Sequence, residues 1–95
     1  MRDYELIFIA HPDLDETALT ELVNKVKGWI TDAGGVVANV DVWGKRRLAY
    51  PIRKQKDGQY VMINADLQPE FCTTLERNLR LAEPVLRFML STNEG

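Results

Sequence analysis

Cysteine and histidine are almost absent from this 95-residue chain, which has one of each, Cys72 and His11. A single cysteine excludes a disulfide within the chain, and the two residues together fall short of the four ligands of a structural zinc site. Cys72 beside Phe71 is typical of a small buried hydrophobe, and His11 before Pro12 is typical of a structural or exposed residue. We therefore expect no metal, no cofactor and no catalytic site.

Long apolar runs are also missing. The longest is Leu6–Ala10, whereas a membrane-spanning helix needs roughly 20 apolar residues. Met1–Glu5 lacks the charge pattern of a signal peptide. The hydrophobic fraction of 45% and the charged fraction of 27% are close to the averages of globular proteins. The composition predicts a cytoplasmic protein with no membrane contact, folded as one domain over residues 1–95.

The first third of the chain has the patterns of a strand and a helix. Tyr4–Ala10 is apolar, aromatic and β-branched and stops just before Pro12, as a strand does. Asp13 and Glu16 then form a weak capping box, and the glycine pair at 34–35 ends the helix. Apolar residues recur inside it at helical spacing, namely Leu19, Leu22, Val23, Val26 and Ile30.

The middle of the chain predicts two strands around a polar, basic loop. The first strand begins at Val36 and runs through Tyr50, and Gly44 within it is typical of a β-bulge. Pro51–Gly58 is polar and ends in an Asp-Gly pair, which predicts a loop with a turn there. Gln59–Leu67 alternates as the next strand. This alternation places on one face Val61, Ile63, Ala65 and Leu67.

The last third predicts a helix followed by a strand. Pro69 suits the first position of the helix, and Pro84 ends it. The apolar stripe of this helix contains Phe71 or Cys72, then Leu75, Leu79 and Ala82. The strand is Val85–Leu90. Its alternation separates Leu86, Phe88 and Leu90 on one face from Val85, Arg87 and Met89 on the other.

The resulting order is β-α-β-β-α-β. The right-handed crossover rule converts this order into an α+β, ferredoxin-like fold. In that fold a four-stranded antiparallel sheet carries both helices on one face, and the other face of the sheet is open.

Residues 43–60 collect the positive charge of an otherwise acidic chain. The segment holds six of the twelve lysines and arginines and one acid, whereas the remainder has six basic residues and thirteen acids. Trp43, Tyr50 and Tyr60 lie among these basic residues, a mixture typical of phosphate contact and nucleobase stacking. A solvated hairpin that only aids solubility is the alternative. We favour RNA as the partner.

Other functions of this fold find less support in the residues. The RNA recognition motif keeps an aromatic octamer on its third strand, but Lys56–Ile63 has its glycine one position late and one of the expected aromatics. An acylphosphatase-like enzyme needs a glycine-rich anion loop, and Ala10–Asp13 has no glycine. The alternative hypothesis is a regulatory or dimerisation module without RNA, which associates through the open face at Ile7, Ile9 and Met62.

Gly44–Ile52 reads GKRRLAYPI, which combines a bulge glycine, adjacent arginines and a Leu-Ala-Tyr-Pro-Ile exit. With Met1–Glu5, the helix entry at Pro12–Asp15 and KDGQY at 56–60, it resembles the bacterial ribosomal small-subunit protein six family over nearly the whole chain. The resemblance implies a ferredoxin-like fold and a non-catalytic role in the small ribosomal subunit, without a small-molecule substrate. Members of that family bind the central domain of small-subunit ribosomal RNA together with ribosomal small-subunit protein eighteen, and the resemblance implies the same for this chain.

The resemblance also implies which residues contact RNA. These candidates are Arg2, Tyr4, Arg46, Arg47, Arg53 and Arg87. Each of them has a simpler alternative. Tyr4 shares its face with Leu6 and Phe8 and so suits the core, and Arg87 suits plain solvent exposure. Since the rest of the chain is acidic, we expect the protein partner to be basic and to supply further phosphate contacts.

Overall fold

The structure, a computed structural model, describes residues 1–92. Its strands are β1 (Arg2–Ala10), β2 (Val36–Ile52), β3 (Gln55–Leu67) and β4 (Val85–Thr92). Its helices are α1 (Glu16–Asp32) and α2 (Cys72–Leu81), and a 3₁₀ turn at Pro69–Phe71 leads into α2. The element order is the one predicted from the sequence.

The four strands form one antiparallel sheet in the order β2-β3-β1-β4. β1 and β3 are central, with Leu6 opposite Ile63, and β2 and β4 are the two edges. Each helix belongs to a crossover between parallel strands, β1 to β2 and β3 to β4. Right-handed crossovers place both helices on the same face, which is the predicted ferredoxin-like arrangement. The opposite face of the sheet, hereafter the open face, carries no helix.

The core is one apolar layer between the helices and the inner face of the sheet. The predicted α1 residues are all buried, and Leu75 and Leu79 of α2 join them. β3 contributes its predicted face of Val61, Ile63, Ala65 and Leu67, and β1 contributes Tyr4, Leu6, Phe8 and Ala10. Burial of each larger side chain contributes roughly 1.5–3 kcal/mol, so this layer fixes which sheet face turns outward.

The start of α1 differs from the prediction. The N-cap is Asp15, whose Oδ1 accepts a hydrogen bond from the Ala18 amide at 2.8 Å. Asp13 instead lies in the preceding turn, where its amide donates to His11 Nδ1 at 3.1 Å. Asp13 therefore belongs to the loop, and the capping role falls to the acid two residues later. Within residues 1–92, no helix has the length and apolar character needed to cross a membrane.

The predicted loop at Pro51–Gly58 is wrong. β2 runs to Ile52 and β3 starts at Gln55, and these two residues are opposite each other in the ladder. The turn is the two-residue pair Arg53 and Lys54, with φ of +49° and +67°. Positive φ at both central positions is the geometry of a type I′ hairpin turn, which usually takes Asn-Gly. The Asp-Gly signal at 57–58 lies inside β3.

β4 contains a bulge that the alternation did not predict. Ala10 is opposite Val85 and Ile9 is opposite Arg87, so Leu86 is the extra residue. The bulge turns Val85 into the core, where it is 7% exposed. Val85 therefore does not share a face with Arg87 and Met89, as we had expected. Arg87 remains exposed.

Candidate nucleic-acid interface

The basic segment at residues 43–60, hereafter the hairpin arm, is the far half of the β2–β3 hairpin. Its first strand lies at the edge of the sheet, and Lys45, Arg46 and Arg47 on it are exposed. Gly44 has φ of +90°, and the β2–β3 register shifts between Val42 and Gly44. The predicted bulge is therefore confirmed at the entry to the arm.

An aromatic stack lies at this bulge. The rings of Trp43 and Tyr60 are stacked, with centroids 6.1 Å apart and planes 11° apart. The guanidinium carbon of Arg46 lies 5.7 Å from the centroid of the Trp43 ring, within cation–π range. Trp43 nevertheless remains 38% exposed. The open face thus presents a cation and an aromatic surface side by side.

Arg46 and Arg47 point to opposite sides of the sheet. Arg46 is opposite Gly58 and Arg47 is opposite Asp57. Since successive strand residues alternate in direction, Arg46 shares the open face with Tyr60, whereas Arg47 points to the side of the helices. One ligand contacts both side chains only if it lies along the β2 edge.

Leu48 anchors the arm to the open face. Residues 48–51 of β2 bulge out between the pair Arg47↔Asp57 and the pair Ile52↔Gln55. Leu48 in this bulge is 8% exposed. Ile9 and Leu48 can pack directly over the backbone of β3 because residue 58 is glycine. A Cβ at Gly58 would lie 2.3 Å from Ile9 Cγ2 and 3.5 Å from Leu48 Cδ2. The glycine in the Asp-Gly pair serves packing and not a turn.

Arg87 joins the arm from the other edge of the sheet. Its Nη1 donates a hydrogen bond to Tyr50 Oη at 2.6 Å. The register places Gly44, Tyr60, Ile9 and Arg87 in one row across all four strands. The structure therefore brings Arg87 and Arg46 onto the same end of the open face. Arg53, at the tip of the arm, donates to two backbone carbonyls of the α2–β4 connection.

Arg2 and Tyr4 lie at the far end of the sheet. They are opposite Leu67 and Ala65, whereas Ala10 at the other end of β1 is opposite Gln59 of the arm. A nine-residue strand spans roughly 26 Å, so Arg2 is separated from the arm by that length. Tyr4 is 8% exposed and packs in the core. This is the alternative expected from its place on the same strand face as Leu6. Arg2 is exposed.

Arg80 is a basic residue near this surface that was not among the predicted RNA contacts. It is exposed on α2, and its guanidinium carbon lies 5.9 Å from the centroid of the Phe88 ring. With Arg53 and Arg87 it borders a shallow depression beside β4. No spacing along the chain relates Arg80 to β4, because the two meet only through the packing of α2.

The open face is acidic at the end away from the arm. Asp3 is opposite Asp66 at this end, whereas Asp41 is opposite Met62, in the row next to the arm. Directly opposed like charges destabilise a sheet, so a cation bound at this end relieves repulsion. Apolar side chains lie between the Asp3–Asp66 pair and the arm: Ile7 is opposite Met62 on one side and opposite Met89, which is 61% exposed, on the other. Asp41 borders this apolar row.

We expect Gly44→Ala to destabilise the protein by about 1 kcal/mol and to weaken RNA binding. No atom lies within 4 Å of an added Cβ, so the cost arises from φ of +90° alone. Relaxing this angle would turn Arg46 away from its present direction. Gly28→Ala in α1 is the control, because its Cβ also meets open space and alanine favours a helix. Equal melting temperatures of wild type and Gly44→Ala would show that the bulge needs no glycine.

Comparison with known proteins identifies the family that carries these features. Residues 3–91 match the sequence profile described as Ribosomal protein S6. The chain belongs to the ribosomal protein S6 family. The small ribosomal subunit protein bS6 of Clostridium novyi (strain NT) is 49% identical over 94 residues, which cover 99% of each chain. The bS6 protein of Moorella thermoacetica (strain ATCC 39073 / JCM 9320) is 42% identical over 94 residues, which cover 99% of this chain and 96% of the Moorella protein.

A solved structure of the same family has the same fold. The crystal structure of 30S ribosomal protein S6 from Thermotoga maritima superposes with a TM-score of 0.91 at 29% identity, covering 97% of this chain and 87% of that one. The ferredoxin-like fold and the resemblance stated from the sequence are both confirmed. The predicted place in the small ribosomal subunit of the cytoplasm agrees with the names of the S6 relatives. This is a family of structural ribosomal proteins.

Proposed function

We propose that the chain is a non-catalytic component of the small ribosomal subunit that binds the central domain of small-subunit ribosomal RNA together with ribosomal small-subunit protein eighteen. The hairpin arm carries this proposal, because it presents exposed basic residues and an aromatic stack on an edge strand of an acidic chain. Basic residues that neutralise phosphates release counterions and so supply binding free energy. Membership in the S6 family supports the same function.

Three arginines form the central contact in this proposal. Arg46 and Arg47 approach phosphates from the two sides of the β2 edge, and Arg87 reaches the same region with its guanidinium held against Tyr50. Arg2 provides a contact at the far end of β1. The burial of Tyr4 favours its alternative role in the core. Arg53 holds two backbone carbonyls, which gives it a different role that is developed below.

The open face outside the hairpin arm is our proposed docking surface for protein eighteen. Apolar side chains at Ile7, Met62 and Met89 offer area to bury, and carboxylates at Asp3 and Asp41 border them. A basic partner with apolar residues at its contact matches this combination of charge and hydrophobicity. A partner bound there lies beside the arm and adds its own phosphate contacts to the same RNA.

Native mass spectrometry of complexes that copurify with the tagged chain tests the proposed function. We expect central-domain ribosomal RNA and protein eighteen in the same complex. A variant with Arg46→Ala and Arg47→Ala should lose the RNA and retain the protein partner, because neither arginine belongs to the proposed docking surface. A homodimer without RNA would support the dimerisation module instead and contradict the proposal.

A further inference from the structure

The tip of the hairpin arm is fastened to the body of the protein by one side chain. Nη2 of Arg53 donates to the carbonyl oxygen of Glu83 at 2.7 Å and to that of Val85 at 2.8 Å. Glu83 and Val85 flank Pro84 in the connection from α2 to β4. Arg53 therefore links the turn of one hairpin to the start of the edge strand on the other side of the sheet.

Arg53 is the side-chain donor to these two carbonyls, whereas the two carbonyls that alternate with them accept from backbone amides. The Ala82 carbonyl accepts from the Val85 amide at 3.0 Å, and the Pro84 carbonyl accepts from the His11 amide at 2.8 Å. Glu83 and Val85 alternate with them and face the arm. The hydrogen bond to Val85 is part-buried, and hydrogen bonds with a charged donor are among the stronger ones. Arg53 completes the hydrogen bonding of this connection.

The turn itself needs this support. Arg53 and Lys54 both have positive φ, which is unfavourable for residues other than glycine and persists where surrounding contacts determine it. Leu48 and Tyr50 hold the bulge of β2 but lie before the turn. Arg53 connects the turn itself to the α2–β4 connection, in addition to the ladder pair of Ile52 and Gln55.

We propose that Arg53 is a positioning residue: its guanidinium fixes the arm against the α2–β4 connection and so orients Arg46 and Arg47 before RNA binds. The effect on RNA rests on the proposed function, whereas the effect on the free arm does not. Preorganisation lowers the entropic cost of ordering a loop on binding. Loss of this contact therefore weakens RNA binding without removal of a phosphate contact.

Hydrogen exchange in the free protein tests the effect on the arm. Arg53→Ala and Arg53→Lys should each raise exchange at residues 52–57 on the order of tenfold, because a lysine does not offer the planar donor geometry of a guanidinium. Exchange at residues 61–65 of β3 should stay unchanged. Lys54→Ala is the matched control, since it removes the same charge at the neighbouring positive φ. Equal exchange in the Arg53→Ala and Lys54→Ala proteins would overturn the proposal.

Salt titrations of RNA binding separate positioning from direct contact. If Arg53 positions the arm, its alanine and lysine variants lose affinity about threefold to tenfold with the wild-type salt slope. If Arg53 contacts a phosphate, alanine lowers the slope by about one unit and lysine restores it; that result would contradict the assignment. Absence of RNA binding by the wild type together with its partner would refute the proposed function, while the hydrogen-exchange result would still decide the role of Arg53.

Discussion

Replacement of both Arg46 and Arg47 with alanine is expected to weaken binding to central-domain RNA by about 100-fold. In the proposed function each side chain would contact phosphates from its own side of the β2 edge, since the two point in opposite directions. The slope of log affinity against log salt should therefore fall by about 1.5–2 units in the double variant and by about half of that in each single variant. Binding titrations over a series of salt concentrations measure both quantities.

A control with the same loss of charge distinguishes contact from general electrostatics. Lys25→Ala with Arg77→Ala removes two positive charges from exposed positions on α1 and α2, outside the hairpin arm. Their removal should leave the salt slope almost unchanged. If the two double variants lose slope equally, the arm is not the RNA-binding surface, and net charge explains the attraction.

Charge reversal of two carboxylates on the proposed docking surface is expected to change RNA binding in two opposite directions. Asp3→Lys with Asp41→Lys adds positive charge, so the chain alone should bind RNA somewhat more tightly. The same change sets cations against a basic partner, and like charges across an interface cost several kcal/mol. The enhancement of RNA binding by protein eighteen should therefore fall by about tenfold or more.

Glu21→Lys with Asp32→Lys provides the matched control for this prediction. Both acids are exposed on α1, on the opposite side of the sheet from the open face, and the change in charge is identical. This control should gain RNA affinity in the same way but keep the enhancement by the partner. An unaltered enhancement in the Asp3→Lys, Asp41→Lys protein would move the docking surface away from the open face.

The sequence predicts those parts of the fold that depend on periodicity. Helical spacing in α1 and alternation in β3 each follow from burial of one face, and both were correct residue by residue. Gly44 was also predictable, because a lone glycine in a strand has few other roles. Asp13 was wrong as a cap because two acids, Asp13 and Asp15, both precede the helix. The hydrogen bond from the Ala18 amide to Asp15 Oδ1 decides between them.

The hairpin tip was not predictable, since two nonlocal contacts outweigh the local turn signal. Gly58 is needed where β3 passes under Ile9, and the contacts of Arg53 hold a turn made of two residues that rarely form one. Both partners are distant in the chain. Local preference alone therefore places the turn at the Asp-Gly pair.

The candidate site, like the fold, could be predicted from the sequence only in part. Trp43, Arg46 and Tyr60 were visible because they lie in one segment rich in aromatic and basic residues. The hydrogen bond between Arg87 and Tyr50 joins residues 37 positions apart, and no pattern along the chain predicts it. The opposite directions of Arg46 and Arg47 follow from strand alternation, but their common position on an edge strand requires the sheet order.

A binding titration of central-domain ribosomal RNA at near-physiological salt tests the central claim most directly. The RNA is titrated with this chain alone, with protein eighteen alone and with both proteins together. Because acids near the interface oppose the phosphates while the arm attracts them, we expect weak binding by this chain alone and a cooperative increase of about tenfold or more with the partner. Tight binding by this chain alone, with no effect of the partner, would contradict the shared site.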